Sequence, residues 1–324
     1  MTGDIIGTMK IQLANPRGFC AGVNMAIECV EQALKIVGSP LFVYHEIVHN
    51  RHVVQRFVKE GVIFVDDIED VPGNATIIFS AHGVNPDVRS RAKQRGCVMI
   101  DATCPLVTKV HMEAIRYARK GYKILLIGHA GHDEVVGTVG QAPDAITIVE
   151  SPADVARLPF ASNERLAYLT QTTLSMDDAK VIISAIKRKY PDVKAPPSDD
   201  ICYATTNRQH AVRTLASSAD LVLVVGSRNS SNSLRLTEIG KSTGTPAFLV
   251  DDKTEIEHGW FEDVDTVLVT AGASAPEHLV QEIVEELVFR YDGSVEESHI
   301  VEENMHFELP LGLRILRDGQ SVRT

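Results

Sequence analysis

Three cysteines, Cys20, Cys104 and Cys202, each stand where a loop gives way to a helical pattern. After Cys20, Val23, Ile27, Val30 and Leu34 recur at helical spacing and give that helix a core face. Pro105 follows Cys104 directly, where proline suits a first helical turn. A helix N-terminus carries partial positive charge and free N–H groups, so it favours the thiolate that a soft metal takes as ligand. Three thiolates are one short of the set a 4Fe–4S cluster normally takes, and the missing ligand leaves one iron open to a substrate. A zinc site of Cys plus a His is a second reading of the same residues. Cys29 lies inside the first helical pattern and Cys97 just before a strand, so both read as packing residues. Five cysteines, an odd number with no CxxC, argue against a disulfide framework, a zinc ribbon or thioredoxin-like chemistry.

The elements that must position these thiols repeat three times. GFCAGVNMAIECVEQAL runs into LFVY and HEIVHN, ATCPLVTKVHMEAIRYARKGY into KILLIG and HAGHDE, and DICYATTNRQHAVRTLA into LVLVVG and SRNSSN. From Cys20 to Tyr44, from Cys104 to Gly128 and from Cys202 to Gly226 the interval is 24 residues each time, which marks an internal repeat. Each endpoint is expected to be the last residue of its strand. VIFVDDIEDV, ITIVESPADV and AFLVDDKTEI supply a second strand per repeat; ATIIFSAHGV, LAYLTQTTLS and TVLVTAGASA supply a third. Strands apolar on both faces and alternating with helices predict parallel α/β units, which gather ligands at the strands' carboxyl ends. The expected architecture is three similar α/β lobes, a pseudo-threefold repeat around a central site. They span 9–100, 101–197 and 198–293, with 294–324 as a C-terminal tail.

The predicted strand tips carry His49, His82 and His132, with Glu134 two residues beyond, and Thr172, Thr173, Ser230, Ser231, Asn232 and Ser274. Counted from the cysteines, His49 lies 29 residues on, His132 28 on and Ser230 28 on, so the repeat aims donors from corresponding places. Neutral or switchable donors of this kind suit a compact diphosphate in a dry pocket. His45 and His129 come earlier on the tips and would orient neighbours. His258, His278, His299 and His306 fall off the pattern and read as solvent-facing.

Bulk properties exclude several classes. The net charge of −11 without a Lys/Arg stripe argues against nucleic acid as partner, though a small anion needs only a few local donors. No apolar run reaches the roughly 18–20 residues that span a bilayer. The first ten residues do not read as a secretory signal, so a cytoplasmic protein is expected. Gly240-Lys241-Ser242-Thr243 imitates the end of a P-loop, but Arg235 stands where its first glycine belongs. With no strand–GxGxxG–helix fingerprint either, electrons must come from outside the chain.

In order along the chain, ANPRGFCAGV, HEIVHN, FSAHGV, DATCPLVTKVH, IGHAGHDEV, TQTTLS, DDICYATTNRQ, VGSRNSSNS and TAGASAP resemble the LytB family of 4-hydroxy-3-methylbut-2-enyl diphosphate reductases. The resemblance runs from about Gln12 to Pro276 with no motif residue missing. It implies an iron–sulfur oxidoreductase of isoprenoid biosynthesis that reductively dehydroxylates this allylic diphosphate to isopentenyl and dimethylallyl diphosphate, the last step of the methylerythritol phosphate (MEP) pathway. By similarity, Cys20, Cys104 and Cys202 hold a 4Fe–4S cluster whose fourth iron binds the substrate hydroxyl. His49, His82, His132, Thr172, Ser230, Ser231, Asn232 and Ser274 then surround the substrate, chiefly its diphosphate, and Glu134 manages proton delivery. The family draws electrons from ferredoxin or flavodoxin. A non-redox hydratase or isomerase using an open cluster as Lewis acid, and a zinc-dependent binding module, are the alternatives.

Overall fold

The computed structural model describes residues 9–317. Its first stretch holds β1 (Lys10–Asn15), α1 (Ala21–Val37), β2 (Leu41–Tyr44), α2 (Arg51–Lys59), β3 (Val62–Val65), β4 (Thr76–Phe79), α3 (Pro86–Gln94) and β5 (Val98–Asp101). Next come α4 (Pro105–Arg119), β6 (Lys123–Ile127), α5 (Asp133–Gln141), β7 (Ile146–Val149), α6 (Pro152–Arg157), β8 (Leu166–Thr170) and α7 (Met176–Lys189). The last stretch holds α8 (Tyr203–Ala216), β9 (Leu221–Val225), α9 (Ser231–Ser242), β10 (Ala247–Val250), β11 (Thr266–Ala271), α10 (Glu277–Tyr291), β12 (Ser294–His299) and α11 (Leu311–Arg317).

These strands form three sheets, every pairing parallel, in the orders β3-β2-β4-β5, β7-β6-β8 and β10-β9-β11-β1-β12. In each sheet the strand that follows a cysteine helix lies between the second and third strands of its repeat. The repeat is therefore topological as well as sequential. Tyr44 ends β2 as expected, whereas Gly128 and Gly226 each come one residue after their strands.

The chain divides into two compact units. One comprises the residues up to Cys20, His49–Val53 and Tyr203–Met305, and holds the five-stranded sheet. Side chains alternate across a strand, and β9 uses both faces. Leu221, Leu223 and Val225 pack with Leu279, Ile283 and Leu287 of α10, while Val222 and Val224 pack with Val212 and Leu215 of α8 and Leu236 of α9. Each such side chain contributes about 1.5–3 kcal/mol by leaving water. This two-sided burial is why LVLVV shows no polar alternation.

Two edges of the sequential division are corrected by the pairing. β12 lies at 294–299, where a tail was expected, and runs in full register with β1 from Lys10↔Ser294 to Asn15↔His299. Its sequence, SVEESH, is almost wholly exposed, so it lacks the apolar face by which a strand is recognised. Charge suits such an edge, since it discourages further pairing, and Lys10 meets Glu296 there at 2.5 Å. β1 was assigned to the first lobe but sits between β11 and β12. The cause is general to the repeat: the strand leading into each cysteine pairs with the third strand of the preceding repeat. β5 lies beside β4, Lys194 bridges Ala167 of β8, and β1 closes the cycle beside β11.

The second unit, Ala21–Val48, Val54–Cys202 and the residues from His306 on, holds the other two sheets. β6 repeats the two-faced pattern: Leu125 and Ile127 join Ile182 and Ile186 of α7, while Ile124 and Leu126 join Val110 and Ala114 of α4. The P-loop imitation lies at the C-terminal end of α9, in the first unit. A Cβ at Gly240 would stand 2.8 Å from Ala247 Cβ, so the glycine serves helix–strand packing. Among the described residues no helix is long and apolar enough to cross a membrane.

Candidate active site

One backbone bond seats all three cysteines. The N–H of Cys20 donates to the Ala273 carbonyl at 3.1 Å, that of Cys104 to Ala81 at 3.0 Å, and that of Cys202 to Thr172 at 3.0 Å. Each acceptor lies two residues past the end of a third strand: β11, β4 and β8 respectively. A helix begins on the residue after each cysteine, so all three thiols sit at helix N-termini, beside backbone N–H groups that have no partner within the helix. Cys104 caps α4 and makes no side-chain cap bond. Cys20 belongs to the first unit, and Cys104 and Cys202 to the second.

Cys29 and Cys97 differ in every respect. Both are buried, whereas the other three are half-buried. Burial pushes the Cys29 thiol up to about 12 and raises that of Cys97, away from the thiolate a metal takes. Cys97 packs with Phe42, Ile77 and Phe79. Their expected role in packing holds.

In the first unit the structure brings His49, Ser230 and Ser274 together. Ser274 Oγ donates to the His49 carbonyl at 2.9 Å and lies 3.4 Å from Ser230 Oγ. Ser230 caps α9, its side chain accepting from the Ser233 N–H. Close approach makes this possible: a Cβ on Gly226 or Gly272 would meet Ser233 Oγ at 2.2 or 2.0 Å. Asn232, in the first turn of α9, is 3% exposed, and neither end of its amide has a hydrogen-bond partner among the described residues. Ser231 Oγ is likewise buried and unpartnered.

In the second unit His82, His132, Glu134 and Thr172 form one connected chain. The His82 and His132 rings stand edge to face, 6.0 Å between centroids. His132 caps α5, its Nδ1 accepting the Glu134 N–H at 3.1 Å, which places the proton of a neutral ring on Nε2. Glu134 is 2% exposed, so the glutamate after this turn does not face solvent. Thr172 holds both carboxyl oxygens, its N–H donating to Oε1 at 2.7 Å and its hydroxyl to Oε2 at 2.9 Å. The same Thr172 accepts from Cys202, and Ala81, which accepts from Cys104, precedes His82.

His45 and His129 both contact neighbouring polar groups, His45 through its ring and His129 through its backbone. His45 Nδ1 lies 2.9 Å from Asp133 Oδ1, and that hydrogen bond raises the imidazole's pKa. The His129 N–H donates to Gln171 Oε1 at 3.0 Å, and Gln171 in turn donates to Thr173 Oγ at 3.0 Å. Asp133, Gln171 and Asn50, which caps α2 through the N–H groups of His52 and Val53, were missed from sequence. The repeat did carry one unused signal. His82, Thr173 and Ser274 each lie three residues past a third strand, so Thr173 occupies the place of two predicted site residues. Together the chain offers half-buried thiols for a soft metal, neutral donors for an anion and one buried carboxyl for proton work.

Known proteins are similar to this chain over nearly its whole length. The sequence profile described as LytB protein matches residues 11–288. A 4-hydroxy-3-methylbut-2-enyl diphosphate reductase of Rhodopirellula baltica is 54% identical over 97% of this chain and 98% of its own. One of Haemophilus influenzae (strain PittEE) is 55% identical over 95% of this chain and 99% of its own. Among solved structures, the E-1-hydroxy-2-methyl-but-2-enyl-4-diphosphate reductase of Plasmodium falciparum superposes with a TM-score of 0.95, at 40% identity, covering 96% of this chain and 99% of that one. A second, described as the terminal enzyme of the non-mevalonate pathway, gives 0.63 at 30% identity, covering 86% and 99%. The chain belongs to the LytB protein family.

Proposed function

We propose that the chain is an oxidoreductase that removes the hydroxyl of (E)-4-hydroxy-3-methylbut-2-enyl diphosphate, yielding isopentenyl and dimethylallyl diphosphate. The reductase names of its relatives support this and favour it over a non-redox hydratase or isomerase. Cys20, Cys104 and Cys202 would hold a 4Fe–4S cluster, a reading supported by their three equivalent seats at helix N-termini. When bound, the cluster supplies electrons and a Lewis-acidic iron. Ferredoxin or flavodoxin delivers the electrons, in the cytoplasm.

The chain's own residues do the rest. His49, His82, His132, Thr172, Ser230, Ser231, Asn232 and Ser274 bind the substrate, chiefly through its diphosphate. His132 presents Nε2–H as a donor, because its Nδ1 is engaged by the Glu134 N–H. Glu134 holds the proton that leaves with the hydroxyl oxygen, and Thr172 fixes its orientation.

The observation that carries the binding reading is Asn232. A buried amide without partners costs free energy, so it is kept where a ligand completes its bonds. Asn232→Leu removes the unpaired groups while keeping the same branched heavy-atom skeleton. Calorimetric titration with the substrate and with inorganic diphosphate should show binding weakened about 10–100-fold, the worth of a hydrogen bond to a charged group. The ligand-free variant should melt no lower than the parent. Undiminished diphosphate binding would remove Asn232 from the site.

A further inference from the structure

Two ionic contacts, each with one buried partner, lie outside the substrate-binding residues, and both fasten a loop that delivers a cysteine. Lys109, on the helix opened by Cys104, donates to the Ser198 carbonyl at 2.8 Å, the Asp199 carbonyl at 2.9 Å and Asp200 Oδ1 at 2.9 Å. These are all three of an ammonium's donors, directed at the residues just before Cys202. The Asp200 carboxylate is fully buried, and its other oxygen accepts the N–H of Thr170 at the end of β8. The Cys202 loop is thereby tied to the tip of β8 on one side and to the Cys104 helix on the other.

Arg208 does the same one step further round the repeat. It lies six residues after Cys202, on α8, and is fully buried. Its Nε and Nη2 donate to the Gly18 carbonyl at 3.2 and 2.8 Å, two residues before Cys20, and its Nη1 meets Glu303 at 3.0 Å. Gly18 itself has φ +64 and a Cβ there would lie 3.2 Å from the Ala275 carbonyl, so the loop has little other way to run. The third junction departs from the pattern. Before Cys104, Asp101 is held by Arg89 of α3 at 2.8 Å, because the Cys20 helix carries apolar Met25 and Ala26 at the corresponding positions.

We propose that Lys109 and Arg208 are positioning residues of the cysteine centre: each rides on the helix that one cysteine opens and holds the loop that delivers the next. The proposal rests on the assignment of Cys20, Cys104 and Cys202 as cluster ligands. Groups that orient metal ligands commonly change metal affinity about 10–100-fold when removed. A cation this close to a ligand loop also raises the tendency of a cluster to accept an electron.

The test compares anaerobically reconstituted parent, Lys109→Met, Glu303→Gln and Lys123→Met. Lys123 is a control, a lysine that holds a different loop through the Asp144 carbonyl. Lys109→Met is expected to load iron as the parent does, to release it to a chelator about 10–100-fold faster, and to show a more negative reduction potential. Glu303→Gln, which keeps Arg208 but removes its counter-charge at a partly exposed carboxylate, is expected to accelerate release in the same sense and carries the test if Lys109→Met melts early. Lys123→Met should match the parent. Iron in the parent with release rates and potentials unchanged in both test variants overturns the proposal alone. A parent that takes up no iron overturns the ligand assignment, and the proposal with it.

Discussion

Glu134→Gln is expected to keep the cluster and bind substrate, yet to lose about 10²–10⁴-fold in turnover, the usual contribution of a general acid. That is roughly 3–5 kcal/mol of barrier. Expulsion of hydroxide from an allylic carbon is poor unless the oxygen is protonated, and Glu134 is the buried carboxyl on the tip that follows β6. Its two oxygens are pinned by the Thr172 N–H and hydroxyl, so the side chain cannot swing aside. The amide preserves this contact: Gln Oε1 still accepts the N–H, and Gln Nε2 can donate to the Thr172 hydroxyl, which reverses its role. What the variant lacks is a transferable proton. Steady-state kinetics with a chemical reductant decide it, and a variant within about threefold of the parent would take Glu134 out of the mechanism.

An equally large effect is expected at the cysteines. Cys20→Ser, Cys104→Ser and Cys202→Ser should each abolish cluster assembly and activity, because a hydroxyl is a poor ligand for a soft iron–sulfur centre and two thiolates cannot hold it. Cys29→Ala and Cys97→Ala should keep the parent's iron, at a stability cost of about 1 kcal/mol for the lost packing. The distinction follows from the seats. The first three share the N–H bond to the end of a preceding third strand, and the last two are buried among apolar side chains or inside α1. Iron analysis of all five reads this directly. If Cys97→Ala lost iron and Cys104→Ser kept it, the assignment by repeat would be wrong.

Much of the fold was legible because the repeat writes the same local signals three times. LFVY, KILLI and LVLVV are apolar on both faces since helices cover both, and each is followed by small or polar residues at its tip. β12 was not legible, since SVEESH is an exposed edge with no apolar face. Nor was the place of β1, whose sequence does not say that its neighbours are β11 and β12. At the site, residue types and intervals are what point to the cysteines and to the tips. Contacts between segments remote in sequence did not show: Lys109 and Asp200 are 91 residues apart, and Thr172 and Glu134 are 38 apart. The contact that holds Glu134, two residues past its N-cap, shows only when the threonine that meets it is seen.

The central claim is that this chain reduces its substrate, and electron counting tests it most directly. Iron-loaded protein would be mixed anaerobically with (E)-4-hydroxy-3-methylbut-2-enyl diphosphate and a measured quantity of chemical reductant, and the products resolved. The account predicts one electron pair consumed per molecule of isopentenyl or dimethylallyl diphosphate formed, with no conversion when reductant is withheld. Substrate lost at the same rate without reductant, as a hydrated or isomerised diphosphate, would contradict it.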